Sequence, residues 1–206
     1  MSENQYDIAI IGGGASGTAL LYTLAKYSNV KSLVLLEKYN QLGQVNSHAR
    51  NNSQTLHVGD IETNYTIDKV RQVKPAAMMV VRYTDSLSAS EKDVIVSKTQ
   101  KMVIGVGQKE VVALNNRYEA LRDIFPEVRK LSGVGIAAVE PAVMNGRNPE
   151  QPIVALYNPE GYAVNFGRLA QSLADEAKKA ADKTVEVKLN ENVVKIIRTV
   201  DGYILK

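Results

Sequence analysis

Cysteine is absent from the 206-residue chain. That excludes disulfides, thiolate metal sites and cysteine nucleophiles together, and it suits a reducing compartment. Histidine is scarce. His48 and His57 are too few and too far apart for a familiar zinc pattern, so no metal site is expected. An excess of one charge is also missing, since 25 Lys and Arg face 22 Asp and Glu. The basic residues form no stripe that could follow a nucleic acid, and no nucleic-acid role is expected. The net charge of +3 is compatible with weak attraction to an anionic membrane surface. No long apolar run exists: Ala76 to Val81 is far short of a spanning helix. The first seven residues carry two acids and run straight into a strand, unlike a secretory leader. Internal repeats and low-complexity tracts are absent too. What remains is 45% hydrophobic, enough for a packed core in one large or two small domains.

The chain is organised around Ile8-Ala9-Ile10-Ile11-Gly12-Gly13-Gly14-Ala15-Ser16-Gly17. The apolar run reads as a buried parallel strand. A helical run from Ala15 to Tyr27 follows, which is the context a G-x-G-x-x-G match requires. Gly12 makes the tight turn, Gly14 admits a pyrophosphate, and Gly17 lets the helix lie close to the strand. Phosphates would sit at the helix N-terminus, where N–H groups such as that of Ser16 lack intrahelical partners. A second strand, Leu33 to Leu36, ends at Glu37, 20 residues past Gly17. A ribose-binding acid belongs there, and its charge disfavours NADP. A glycine-rich turn of an unrelated α/β domain is the alternative reading.

A polar stretch from Lys38 to Asp60 holds both histidines, and loops of this length are usually functional. Asp68 to Leu87 has helical periodicity, with Pro75 as a site for a kink. Thr99 to Val106 reads as a strand and Lys109 to Ile124 as a helix. Ile136 to Val139 looks extended. Ile153 to Tyr157 reads as a strand ended by a turn at Asn158-Pro159-Glu160-Gly161. Asn165 is an expected N-cap for a helix from Phe166 to Ala181. Val185 to Leu189 reads as the third strand of the nucleotide-binding unit, delayed by more than a hundred residues. That delay points to FAD rather than NAD. Val193 to Arg198 reads as a further strand, Asp201-Gly202 as a hairpin turn, and Tyr203 to Leu205 as the return. The expected fold is α/β: a Rossmann-like FAD-binding domain (1–92 and 160–206) interrupted by part of an α+β substrate domain (93–159). Because the return strand stops at Lys206, the chain reads as the truncated front part of a longer protein.

The segment Asn52 to Thr66 resembles the malate:quinone oxidoreductases. Their pattern N-x-x-T-x-H, then E-x-N-Y-T, is matched by Asn52, Thr55, His57, Glu62, Asn64, Tyr65 and Thr66. Gln100 to Gly107 and Glu140-Pro141 are similar as well. Gln54 departs from the pattern, where many members have glycine. The resemblance implies a bacterial enzyme of the tricarboxylic acid cycle. It implies FAD-dependent oxidation of (S)-malate to oxaloacetate with electrons passed to quinone, in the cytoplasm or peripheral on the inner face of the cell membrane. A neighbouring FAD oxidase or dehydrogenase of another 2-hydroxy acid or an amino acid stays open. So does an inert fragment that binds FAD weakly or not at all.

By this reading Gly12, Gly14, Ser16 and Gly17 cradle the FAD pyrophosphate and Glu37 holds the ribose. Ser47, Asn52, Gln54 and Thr55 line the pyrophosphate or the flavin ring, or form an ordinary polar loop. By resemblance, Val193 contacts the adenine through its backbone, unless it is a plain strand residue. His57 is the catalytic candidate, because oxidising a 2-hydroxy acid needs a base for the hydroxyl proton and histidine titrates in the right range. A histidine that only orients the loop or bonds the flavin is the alternative.

Overall fold

The computed structural model describes residues 5–206. The elements in chain order are β1 (Ile8–Ile11), α1 (Ala15–Tyr27), β2 (Ser32–Glu37), α2 (Ile67–Asp85), α3 (Ala89–Ile95), β3 (Val96–Val106), α4 (Gly107–Leu121), β4 (Arg129–Leu131), α5 (Gly133–Val139), α6 (Pro141–Met144), β5 (Ile153–Val164), α7 (Phe166–Lys178), β6 (Thr184–Leu189), β7 (Ile196–Arg198) and β8 (Tyr203–Leu205). They form two compact units. The first comprises the described residues up to Gln54 with Val164–Lys206, and the second is Thr55–Ala163. Helix α2 therefore groups with the second unit.

In the first unit β2 lies between β1 and β6, parallel to both. The pairing of Leu33 with Val185 makes β6 the delayed third strand that the sequence implied. Leu33, Val34 and Leu35 are buried, so β2 is the covered strand. The reading of β1 as buried needs correction. Only Ile10 is buried there, and Ile11 is 50% exposed, because β1 has a strand neighbour on one side alone among the described residues. Helix α1 packs against α7 through the small residues Ala25, Ala174 and Ala177, with Leu21 filling the space toward Leu33 and Leu35. Burying each such leucine stabilises the layer by about 1.5–3 kcal/mol. Asn165 caps α7 by accepting from the Arg168 N–H at 3.1 Å. Beyond β6, β7 and β8 pair antiparallel. The expected strand from Val193 is shorter than read: residues 191–195 are irregular and the strand begins at Ile196.

In the second unit β5 lies between β3 and β4, and β4 runs antiparallel to it. Two readings fail here. Residues 136–139 are helical, not extended, as part of α5, whose Ile136 N–H donates to the Ser132 carbonyl at 2.8 Å. Short apolar runs do not distinguish strand from helix by periodicity. The turn at Asn158–Gly161 does not form either, because β5 runs through it. A Cβ on Gly161 would meet the Thr99 carbonyl at 2.6 Å, so this glycine serves the close approach of β3. Pro75 lies inside α2 without ending it. No helix among the described residues is long and apolar enough to cross a membrane.

Candidate functional site

The turn between β1 and α1 is built by four glycines under different constraints. Gly12 has φ 104°, a conformation that side chains disfavour, and its N–H donates to the Leu36 carbonyl at 2.8 Å. A Cβ on Gly17 would lie 2.0 Å from the Gly12 carbonyl, so the helix start rests on the turn. Gly13, which the fingerprint did not single out, is closely packed too: its Cβ would meet a terminal methyl of the Leu42 side chain at 2.3 Å. Gly14 is the N-cap of α1 and offers no side-chain cap. Its Cβ would contact only Ser47 Oγ, at 3.3 Å.

This turn opens on a cavity of about 560 Å³. Gly12, Gly14, Ser16, Gly17, Glu37, Ser47 and Val193 all line it. The first turn of α1 carries no acid, so the positive end of its dipole faces the cavity unopposed from within the helix. Ser47 satisfies one of the helix-start donors, accepting from the Ala15 N–H at 2.9 Å. Glu37 is nearly buried. Its Oε2 accepts from the Gly13 N–H at 2.6 Å and its Oε1 from the Tyr39 N–H at 3.0 Å. Each carboxylate oxygen has two acceptor sites, so ribose hydroxyls can still be received. The Glu37 carbonyl accepts from the Glu191 N–H at 2.9 Å, and the Tyr39 carbonyl from the Asn190 N–H at 3.0 Å. Those bonds hold the irregular segment that brings Val193 to the cavity. A cavity at a helix N-terminus free of acids in its first turn, with a carboxylate at the end of β2, fits the pyrophosphate and ribose of a dinucleotide.

The structure does not bring every expected residue to this cavity. Asn52, Gln54 and Thr55 are outside its lining. Asn52 braces its own loop instead, accepting from the Gln54 N–H at 2.7 Å and donating to the Asn46 carbonyl at 2.5 Å. Gln54 has φ 55°, which accounts for glycine suiting this position. Its Oε1 receives the Phe166 N–H at 3.2 Å. Thr55 forms an isolated antiparallel bridge with Ala163 in the second unit.

The second unit holds His57. Its Nδ1 lies 2.6 Å from Glu62 Oε1. Arg117 on α4 donates to the backbone carbonyls of Glu62, at 2.9 Å, and Tyr65. Burial pushes the Arg117 guanidinium below its ordinary range, opposed by the Glu62 charge. Beneath the same loop, Lys101 on β3 forms a fully buried pair with Asp60 at 2.6 Å, and Asn158 on β5 donates to the other Asp60 oxygen. Sequence reasoning missed Arg117, Lys101 and Asp60. Glu62 was visible as part of E-x-N-Y-T, but nothing local showed which side chain it meets. His48 has a different setting, with Nδ1 accepting from the Arg50 N–H at 3.2 Å. No group of His, Asp and Glu among the described residues is arranged to hold a metal.

Comparison with known proteins agrees with this architecture. Among solved structures, L-α-glycerophosphate oxidase from Mycoplasma pneumoniae, a protein solved with FAD bound, superposes with a TM-score of 0.71 at 24% identity. It matches 98% of this chain and 50% of its own. Glycine oxidase from Geobacillus kaustophilus gives 0.70 at 23% identity, over 98% of this chain and 51% of its own. These likenesses establish the fold, an α/β architecture like the N-terminal half of such oxidases. A probable malate:quinone oxidoreductase of Campylobacter jejuni is 37% identical over the whole of this chain and 47% of its own length. Malate:quinone oxidoreductase of Helicobacter pylori (strain 26695) is also 37% identical, over 97% of this chain and 44% of its own. The chain thus spans about half the length of the curated relatives it matches. The family model described as malate:quinone oxidoreductase (Mqo) matches residues 4–204. The chain belongs to the malate:quinone oxidoreductase family.

Proposed function

We propose that this chain supplies the FAD-adenosine site and the catalytic base of an enzyme that oxidises (S)-malate to oxaloacetate and passes the electrons to quinone. The observation that carries the cofactor assignment is the cavity between the acid-free N-terminus of α1 and the Glu37 carboxylate. Gly12, Gly14, Ser16 and Gly17 would receive the pyrophosphate, Ser47 would flank it, Glu37 would hold the ribose and Val193 would face the adenine. Asn52, Gln54 and Thr55 would act from the loop toward the rest of the cofactor. The first unit is the FAD-binding domain in this reading, and the second is part of the substrate domain. FAD, when bound, supplies the two-electron acceptor. His57 takes the proton of the C2 hydroxyl as the C2 hydrogen leaves as hydride, and the C–O bond becomes the carbonyl of oxaloacetate. Family membership at 37% identity favours malate over the substrates named for the solved neighbours. The family resemblance supports a location in the cytoplasm or peripherally on the inner face of the cell membrane.

The test is the absorbance spectrum of the purified full-length protein, followed by anaerobic addition of (S)-malate. A bound-flavin spectrum that bleaches with malate, and not with glycine or glycerol 3-phosphate, supports the proposal. A flavin bleached only by one of the others, or no bound flavin, overturns it.

A further inference from the structure

We propose that Glu62 is the positioning residue of His57, fixing its neutral ring as the Nδ1–H tautomer so that Nε2 is the nitrogen that accepts the substrate proton. The inference rests on the reading of His57 as the base. The 2.6 Å contact joins two differently placed side chains: the Glu62 side chain is 9% exposed and the His57 side chain 54%. The carboxylate is thus the buried end of the pair and the ring its open end. An ionised carboxylate only accepts hydrogen bonds, so a neutral ring facing it must carry its proton on Nδ1. The lone pair then belongs to Nε2. When that nitrogen takes a proton, the imidazolium forms beside a negative charge already in place, with no reorganisation required.

The surroundings reserve Glu62 for this role. Its Oε2 is buried and has no hydrogen-bond partner among the described residues, while its Oε1 meets the histidine. The loop bearing the pair is held at both ends. Leu56 donates to the Tyr162 carbonyl at 3.0 Å, and Lys101 Nζ reaches the Leu56 carbonyl at 3.4 Å as well as Asp60. At the far end Arg117 grips the carbonyls of Glu62 and Tyr65. The Arg117 Nε is a second buried atom without a partner among the described residues, and its guanidinium charge balances the Glu62 carboxylate. His48 supplies an internal contrast. Its Nδ1 accepts a backbone N–H, so its neutral ring carries the proton on Nε2. The chain's two histidines therefore require opposite tautomers.

Long-range ¹H–¹⁵N spectra of the full chain, labelled at histidine and recorded with both rings neutral, read this directly. His48→Asn and His57→Asn assign the signals. The expected result is Nδ1–H for His57 and Nε2–H for His48. Glu62→Leu should release His57 to the Nε2–H form. In the FAD-loaded full-length enzyme it should slow flavin reduction by malate roughly tenfold or more with little change in KM, since general-base catalysis contributes about 10²–10⁴-fold in all. Glu62→Gln keeps an acceptor for Nδ1–H and should restore the tautomer and part of the rate. An Nε2–H tautomer for His57 in the wild type, or an unchanged tautomer in Glu62→Leu, overturns the proposal. If either appears while His57→Asn still slows reduction roughly a hundredfold or more, the pairing alone is wrong and the base stands. If the tautomers are as expected but His57→Asn reduces flavin at the wild-type rate, the base reading fails and the catalytic meaning of the pair fails with it.

Discussion

Replacing Glu37 by glutamine should damage the chain twice, once without cofactor and once with it. In the cofactor-free protein two backbone N–H groups converge on opposite oxygens of one nearly buried carboxylate, from Gly13 at 2.6 Å and Tyr39 at 3.0 Å. A glutamine offers one carbonyl oxygen. Whichever way the amide turns, its NH₂ faces the second donor. Leaving a buried donor unpaired costs about 1–3 kcal/mol. For a chain of this size that lowers the unfolding midpoint by roughly 2–12 °C. The second effect is on FAD. The ribose hydroxyls would lose a charge-assisted acceptor, worth about 1.5–3 kcal/mol, which is roughly a tenfold to hundredfold rise in Kd. Thermal unfolding of the cofactor-free protein measures the first effect, and equilibrium titration with FAD measures the second. A variant as stable as the wild type would refute the bridging role of the carboxylate. One that unfolds early yet binds FAD with unchanged affinity would refute the ribose assignment. NADH should not bind in place of FAD in either protein.

Four further outcomes are expected. Gly17→Ala, whose Cβ would lie 2.0 Å from the Gly12 carbonyl, should lose about 1–3 kcal/mol or more of stability together with FAD. Gly14→Ala, with its nearest contact at 3.3 Å, should keep its stability and lose FAD affinity, and parallel melting and titration separate the two. Lys101→Met strands the Asp60 carboxylate in a fully buried site and should cost about 3–5 kcal/mol in chemical denaturation, much of it recovered in Lys101→Met/Asp60→Asn. The Ser32 and Lys31 backbone N–H groups hold the Asp7 carboxyl below its ordinary range, so its contribution to stability is complete above the usual carboxylate pKa and is lost as pH falls through the lowered value. Denaturation curves should thus show stability falling more steeply below about pH 4 in the wild type than in Asp7→Asn.

The first strand, glycine turn, helix, second strand and acid were legible because each depends on near neighbours in sequence. Gly13 was not, because its constraint comes from Leu42 and from the Glu37 carboxylate. The misread turn at Asn158–Gly161 has the same origin. Its residue types suit a turn, but Asn158 is committed to Asp60 and Gly161 to the passage of β3. Helix α3 was missed although Ser88 and Glu91 form a capping box that the sequence spells out. In the candidate site the cradle was readable and the support of His57 was not. Arg117 lies 55 residues from Glu62 and Lys101 lies 41 from Asp60, so no local pattern joins them. Asn52 and Gln54 are expected from the sequence to line the pyrophosphate or the flavin ring, or to form an ordinary polar loop, and the structure places both outside the cavity lining. Their bonds run to each other and to the backbone of their own unit, which composition cannot reveal.

The functional claim turns on His57. The most direct measurement is rapid-mixing reduction of FAD-loaded full-length protein by (S)-malate without oxygen, comparing wild type with His57→Asn. The expected result is a variant that keeps its FAD and reduces it roughly a hundredfold or more slowly, the scale of lost general-base catalysis. Reduction at the wild-type rate with FAD retained would contradict the claim and assign the base to another residue.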